Sequence, residues 1–224
     1  IVWDLNTGEV AHRLEGHTRQ VTSVTVTLDG RRAITTSDDR TAIVWDLNTG
    51  EVAHRLEGHT DQVTSVLVTW DDRRAITRSI DGTAIVWDLN TGEGAHRLEG
   101  HTDQVTSVLV TSDGRRAITR SIDGTAIVWD LNTGEVVHRL EGHTDRVRAV
   151  AATSDGRRAI TTSTDGTAIV WDLNTGEVVH RLEGHTDRVR AVAATSDGRR
   201  AITTSTDGTA IVWDLNTGEV VHRL

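Results

Sequence analysis

The chain has 224 residues, 36% of them hydrophobic, with 20 glycines, which is enough apolar material to bury a core. A formal charge of −9 argues against generic nucleic-acid binding, which needs a basic face to displace counterions. Cysteine is absent, so disulfides and thiolate metal sites are excluded.

Phe, Tyr, Met and Pro are also missing, and all 24 basic residues are arginine, a usage that points to a GC-rich bacterial source. No stretch approaches the roughly 20 apolar residues of a membrane span, and no signal-peptide pattern opens the chain. The expectation is a soluble, cytoplasmic protein without membrane contact. The absence of an initiator Met suggests a piece of something longer or a removed tag.

Repeats organise everything that follows. Trp-Asp pairs fall at Trp3, Trp45, Trp87, Trp129, Trp171 and Trp213, always 42 residues apart, and Gly-His pairs keep the same step from Gly16 to Gly184. Residues 1–15 read as two strands without the two that precede them in every other unit. Ile1 to Leu14 matches Ile211 to Leu224 except for Ala11 against Val221. Full units follow at 16–57, 58–99, 100–141, 142–183 and 184–224. In the first, Arg40 stands after Asp39 where the later units have Gly. The second and third differ at four places, including Trp70 against Ser112 and Asp72 against Gly114. The solitary Trp70 reads as drift in a turn, with an exposed contact as the alternative.

Unit 142–183 shows the pattern of one repeat. A strand over Val147 to Thr153 ends at Asp155-Gly156, and a second over Arg158 to Ser163 ends at Asp165-Gly166. A third spans Thr167 to Trp171 and ends at Asn174-Thr175-Gly176, and a fourth spans Val178 to Leu182. Asp-Gly between β-branched runs is a strong hairpin signal, because Gly accepts the positive φ such turns require. If Arg40 and Asp72 must adopt it, each costs about 1 kcal/mol. Units 142–182 and 184–224 are identical. A lone four-stranded meander has two apolar faces to cover, so neighbouring units must stack on both. The predicted fold is all-β: a β-propeller of four-stranded antiparallel blades, five full blades plus a spare strand pair.

The combination of Gly-His, Asp and Trp-Asp resembles the WD-repeat β-propeller family over essentially the whole chain. The resemblance implies a hydrogen-bonded tetrad of His, Ser/Thr, Asp and Trp in each blade. By position the tetrads would be His17, Ser37, Asp39 and Trp45; His59, Ser79, Asp81 and Trp87; His101, Ser121, Asp123 and Trp129; His143, Ser163, Asp165 and Trp171; and His185, Ser205, Asp207 and Trp213. Trp and His donate, Ser relays and the carboxylate accepts. Relatives often carry Phe where this chain has Val26, Val68, Val110, Ala152 and Ala194, which argues for a loosely packed stack.

The recurring His, Ser and Asp also spell the residues of a hydrolase triad. Five copies of a nucleophile, with Trp competing for the same polar atoms, favour the structural reading and no catalysis. No cofactor or metal motif is present, and the first His of each pair, such as His138 before His143, reads as a solvent-facing edge residue.

Units differ most where relatives bind partners, three and five residues after the Gly-His histidine. Those positions are Gln20 and Thr22, Gln62 and Thr64, Gln104 and Thr106, then Arg146 and Arg148, and Arg188 and Arg190. Unit 58–99 carries seven carboxylates against four arginines, whereas unit 142–183 carries six against five. A basic sector with Gln62 and Gln104 beside it suits a protein or peptide partner of acidic character; a solvated rim, or Arg–Asp pairing with Asp145 and Asp187, is the alternative. Arg78 and Arg120, inside second strands, read as ion-paired to neighbouring loops. The expected function is a non-catalytic scaffold or sensor module. Similar bacterial repeats form ligand-sensing arrays of signalling NTPases, though no NTPase motif occurs here. The rivals are a repeat array without ligand, natural or engineered, and a hydrolase. The spare pair 1–15 and the last two strands compete for one place, which suggests part of a larger ring or homo-oligomerisation by strand exchange.

Overall fold

Alternating β-branched side chains separated by Asp-Gly and Asn-Thr-Gly turns leave the chain one economical solution, the antiparallel meander, and the computed structural model, which describes residues 1–224, consists of such meanders throughout. The first pair, β1 (Val2–Trp3) and β2 (Val10–His12), bonds only to itself. Five four-stranded sheets follow, each in simple sequential order. The first holds β3 (Val21–Val26), β4 (Arg32–Ser37), β5 (Thr41–Asp46) and β6 (Val52–Glu57). The second holds β7 (Val63–Val68), β8 (Arg74–Ser79), β9 (Ala84–Asp88) and β10 (Gly94–Leu98). The third holds β11 (Val105–Val110), β12 (Arg116–Ser121), β13 (Ala126–Asp130) and β14 (Val136–Leu140). The fourth holds β15 (Val147–Ala152), β16 (Arg158–Ser163), β17 (Ala168–Asp172) and β18 (Val178–Leu182). The last holds β19 (Val189–Ala194), β20 (Arg200–Ser205), β21 (Ala210–Asp214) and β22 (Val220–Arg223). These are the blades of a β-propeller with an extra strand pair. No helix is long and apolar enough to cross a membrane.

The chain forms two compact bodies, residues 1–99 and 100–224. Within each, blades meet through two different faces. Alternation along β16 and β17 puts Ile160 and Val170 on one side and Ala159, Ile169 and Trp171 on the other. Ile160, Ala168, Val170 and Leu182 then pack against Ala201, Ile211, Trp213 and Leu215 of the next blade. The same pairing joins Ile118, Val128 and Leu140 to Ile169, Trp171 and Leu173. In the first body it joins Ile34, Val44 and Leu56 to Ile85, Trp87 and Leu89. Every blade thus offers an aliphatic face forward and a Trp face backward. Each fully buried Ile or Leu there contributes about 1.5–3 kcal/mol. The small inner-strand residues do not leave this seam open: Val68, Ala152 and Ala194 all pack against the adjoining clusters.

Two departures from Gly have the expected backbone cost, for Arg40 sits at φ 73° and Asp72 at φ 55°. Asp72 offsets its strain: its carboxylate accepts the N–H groups of Leu28 and Asp29 at 2.8 and 2.9 Å, capping the turn of the preceding blade. No Gly could do that.

Candidate functional site

A buried polar network repeats in all five complete blades. In the fourth, His143 Nδ1 lies 2.9 Å from Asp165 Oδ2, and His143 Nε2 lies 2.9 Å from Thr161 Oγ1. Trp171 Nε1 donates to the same Thr161 oxygen at 2.8 Å. A carboxylate only accepts, so Nδ1 carries the proton, Nε2 accepts from the Thr hydroxyl, and that hydroxyl accepts from Trp. The sets centred on Thr35, Thr77, Thr119 and Thr203 repeat this.

The relay is therefore Thr, and the serines expected in it stand elsewhere. Trp171 faces Ala159 across the ladder, so Thr161, two residues on, is its diagonal neighbour on the same face. Ser163 lies four residues from Ala159, about 13 Å along the strand, beyond reach of the indole. Its hydroxyl instead accepts the Asp165 N–H at 3.1 Å and donates to the Asp145 carbonyl at 2.9 Å, tying the turn to the loop before β15. Ser37, Ser79, Ser121 and Ser205 likewise accept the N–H of Asp39, Asp81, Asp123 and Asp207.

The carboxylates are heavily bonded. Burial alone would raise the Asp165 pKa, but bonds from the Thr167 hydroxyl and N–H, the Thr144 N–H and His143 hold it below the ordinary range. Asp39, Asp81 and Asp123 show the same contest with the same winner. His101 and His143 are pushed down by burial, against the pull of their Asp partners. The Asp–His–hydroxyl geometry imitates a catalytic triad, yet each hydroxyl is a buried Thr with a Trp N–H on its free lone pair.

Several residues act in ways that spacing did not suggest. The first His of each pair is not a bare edge residue. His12, His138 and His180 place Nε2 3.0–3.1 Å from the carbonyls of Asn48, Asn174 and Asn216 in the following blade. Their rings lie on the turn glycines, and a Cβ on Gly176 would come within 2.7 Å of His138. The constant spacing of 36 residues from this His to the Asn was the available signal. Arg139, Arg181 and Arg223, on outer strands, donate to the carbonyls of Gly100, Gly142 and Gly184 at 2.8 Å. Arg78 donates to Thr64 Oγ1, and Arg120 to Thr106 Oγ1 and the Val147 carbonyl.

The family description "WD domain, G-beta repeat" matches residues 8–46, 50–88, 92–130, 134–172 and 176–214. The chain belongs to the WD40-repeat family. Each WD40 repeat, as matched, begins on the outer strand of one blade and runs through three strands of the next. No curated protein matches the chain.

The variable positions of these WD40 blades fall in two classes. Thr22 is structural, its hydroxyl donating to the Val63 carbonyl at 2.5 Å. Gln62 is half-buried and Gln104 exposed, and each uses its backbone N–H on the preceding Asp side chain. Arg146, Arg188 and Arg190 are exposed and Arg148 half-buried, and none of the four guanidiniums makes a hydrogen bond or ion pair. No ion pair joins these arginines to Asp145 or Asp187, so the pairing alternative does not hold. Asp145 is bonded by the Arg146 backbone N–H, the chief cause of its lowered pKa, and Arg146 and Arg188 add only their field. Arg148 also carries a local cost. It stands where Thr22 would satisfy Thr36, so the buried Thr162 hydroxyl has no partner.

Proposed function

We propose that this WD40 array is a non-catalytic interaction module that takes an acidic protein or peptide segment on the Arg146, Arg148, Arg188 and Arg190 sector. WD40 repeats generally mediate protein–protein scaffolding, and the sector narrows the chemistry of the partner. The observation that carries the reading is the unpartnered state of four arginines at equivalent positions of two successive blades, one of which orphans a buried hydroxyl. Guanidinium forks without internal carboxylates are suited to bidentate contact with carboxylates from outside. Gln62 and Gln104, at the equivalent position, extend the rim with neutral donors.

Titration of the full chain with an acidic peptide, compared with a variant in which all four arginines are Ala, tests this. Each lost charge-assisted contact should weaken binding by about 1.5 kcal/mol or more. Equal affinity of the two proteins, or equal affinity for a basic peptide, would remove the reading. A serine-directed covalent probe should leave the chain unlabelled.

A further inference from the structure

Two seams between successive blades carry the same turn and differ at one decisive place. Where turn 27–30 of the first full blade meets the second, the Asp72 carboxylate accepts the N–H groups of Leu28 and Asp29. Consecutive backbone N–H groups presented by a turn form a concavity suited to an anion. In this seam the chain supplies the anion itself.

The seam of the fourth and fifth blades repeats the turn at 153–156. The Gly156 N–H closes it on the Thr153 carbonyl at 2.9 Å, as Gly30 closes on Thr27 at 2.9 Å. The Thr153 hydroxyl donates to Asp155 at 2.6 Å, against 2.7 Å from Thr27 to Asp29. The Arg157 N–H donates to Asp155 at 3.0 Å, against 2.9 Å from Arg31 to Asp29. The residue equivalent to Asp72 is Gly198, at φ 66° beside 55° for Asp72. Ser154 and Asp155 present the same N–H pair, and no group of the chain accepts it. A cleft of about 240 Å³ opens there, between the turn and residues 197–199 of the next blade.

Charge agrees with this geometry. Arg157, Arg158 and Arg199 line the cleft with Asp155 and Asp197, an excess of one positive charge. The first seam has the same five residue types in Arg31, Arg32, Arg73, Asp29 and Asp71, and Asp72 brings it to neutrality. Those two aspartates therefore do not keep a third carboxylate away. Asp155 and Asp197 are each already bonded by a Thr hydroxyl and a backbone N–H, and neither Arg157 nor Arg199 forms an ion pair.

We propose that the cleft between the fourth and fifth blades binds a small organic carboxylate, which accepts the Ser154 and Asp155 N–H groups as Asp72 accepts those of Leu28 and Asp29. The ligand supplies the negative charge that Gly198 does not. The volume of the cleft restricts it to a small organic acid. The site lies at the opposite end of β15 from Arg146 and is independent of the acidic-partner reading.

Two-dimensional amide NMR of the full chain, titrated with sodium succinate, tests this residue by residue, with neutral succinamide and inorganic phosphate as comparison probes. The Ser154 and Asp155 signals should move saturably with succinate and stay still with succinamide. Gly198→Asp sets the chain's own carboxylate on them and should weaken succinate binding by about tenfold or more. The added Cβ meets Thr153 at 3.6 Å, an ordinary contact, and Asp72 shows that Asp adopts this backbone. Asp72→Gly should confer the response on Leu28 and Asp29, a gain that misfolding cannot imitate. Replacing Arg146, Arg148, Arg188 and Arg190 with Ala should leave the Ser154 and Asp155 response unchanged. Absence of a saturable shift, an undiminished shift in Gly198→Asp, or no gain in Asp72→Gly would each overturn the proposal. So would loss of the response in the four-arginine variant, a response to succinamide, or tighter binding of phosphate than of succinate.

Discussion

Residues 1–14 and 211–224 are the same sequence but for one methyl-bearing position, and they live in different surroundings. Trp213 is 1% exposed and Leu215 fully buried, while Trp3 is 54% and Leu5 94% exposed. Trp213 donates its N–H to Thr203, and Trp3 has no inner strand to donate to. Sequence sets which side chains face together, and the neighbouring blade decides whether those side chains contribute any stability.

The sharpest way to break this comparison is to truncate the same residue in both settings. Trp129→Ala should destabilise by about 3–5 kcal/mol in chemical denaturation, since it empties a buried site and strands Thr119. Trp3→Ala should stay within about 0.5 kcal/mol of wild type. Comparable losses at both positions would mean that the first hairpin is buried in solution.

The hydroxyls give a second contrast. Thr161→Ala orphans a Trp N–H and a His nitrogen together and should cost about 2–3 kcal/mol. Ser163→Ala removes only turn bonds and should cost about 1 kcal/mol. The reverse order would restore Ser to the relay.

Acid should act on the same network. His101 and His143 have folded pKa values below 6.5, so the unfolded chain binds more protons as pH falls through that value. Stability that is complete above pH 6.5 therefore declines as pH falls below it. The lowered tetrad carboxylates add a second loss below about pH 4, because folded Asp39 and Asp165 resist protonation longer than the unfolded chain. Thermal melts across this range should show both steps. A His143→Gln variant should weaken the first.

The smallest effects are at the two strained turns. Arg40→Gly relieves a positive φ and should stabilise by up to about 1 kcal/mol. Asp72→Gly relieves a similar strain but loses two bonds to the preceding turn, so its net effect should lie within about 0.5 kcal/mol. Calorimetry on the pair separates backbone strain from capping.

Strand order and turn positions were legible because they follow from period and from Gly placement, and the Trp, His and Asp of each network because the resemblance to the WD-repeat family implies them. In unit 142–183 the second and fourth strands run as expected, and the first stops one residue early at Ala152. There Thr153 turns its hydroxyl onto Asp155. The relay Thr was not legible, because choosing between Thr161 and Ser163 needs the ladder register, which a repeat count does not contain. The role of His138 was hidden for a related reason: its partner, the Asn174 carbonyl, belongs to the next repeat and is a backbone atom. Likewise, the bond from Arg120 to the Val147 carbonyl depends on which atom a neighbouring strand presents.

Because both halves of each seam, Ile160 with Val170 and Ala201 with Trp213, are written into every 42-residue copy, a duplication delivers lock and key in one event. A gene of this kind can lengthen or shorten by whole copies while each new junction is already fitted. Copy number is then a variable that selection can scan quickly, and spacing between the arginine-bearing blades and the ends of the array varies with it.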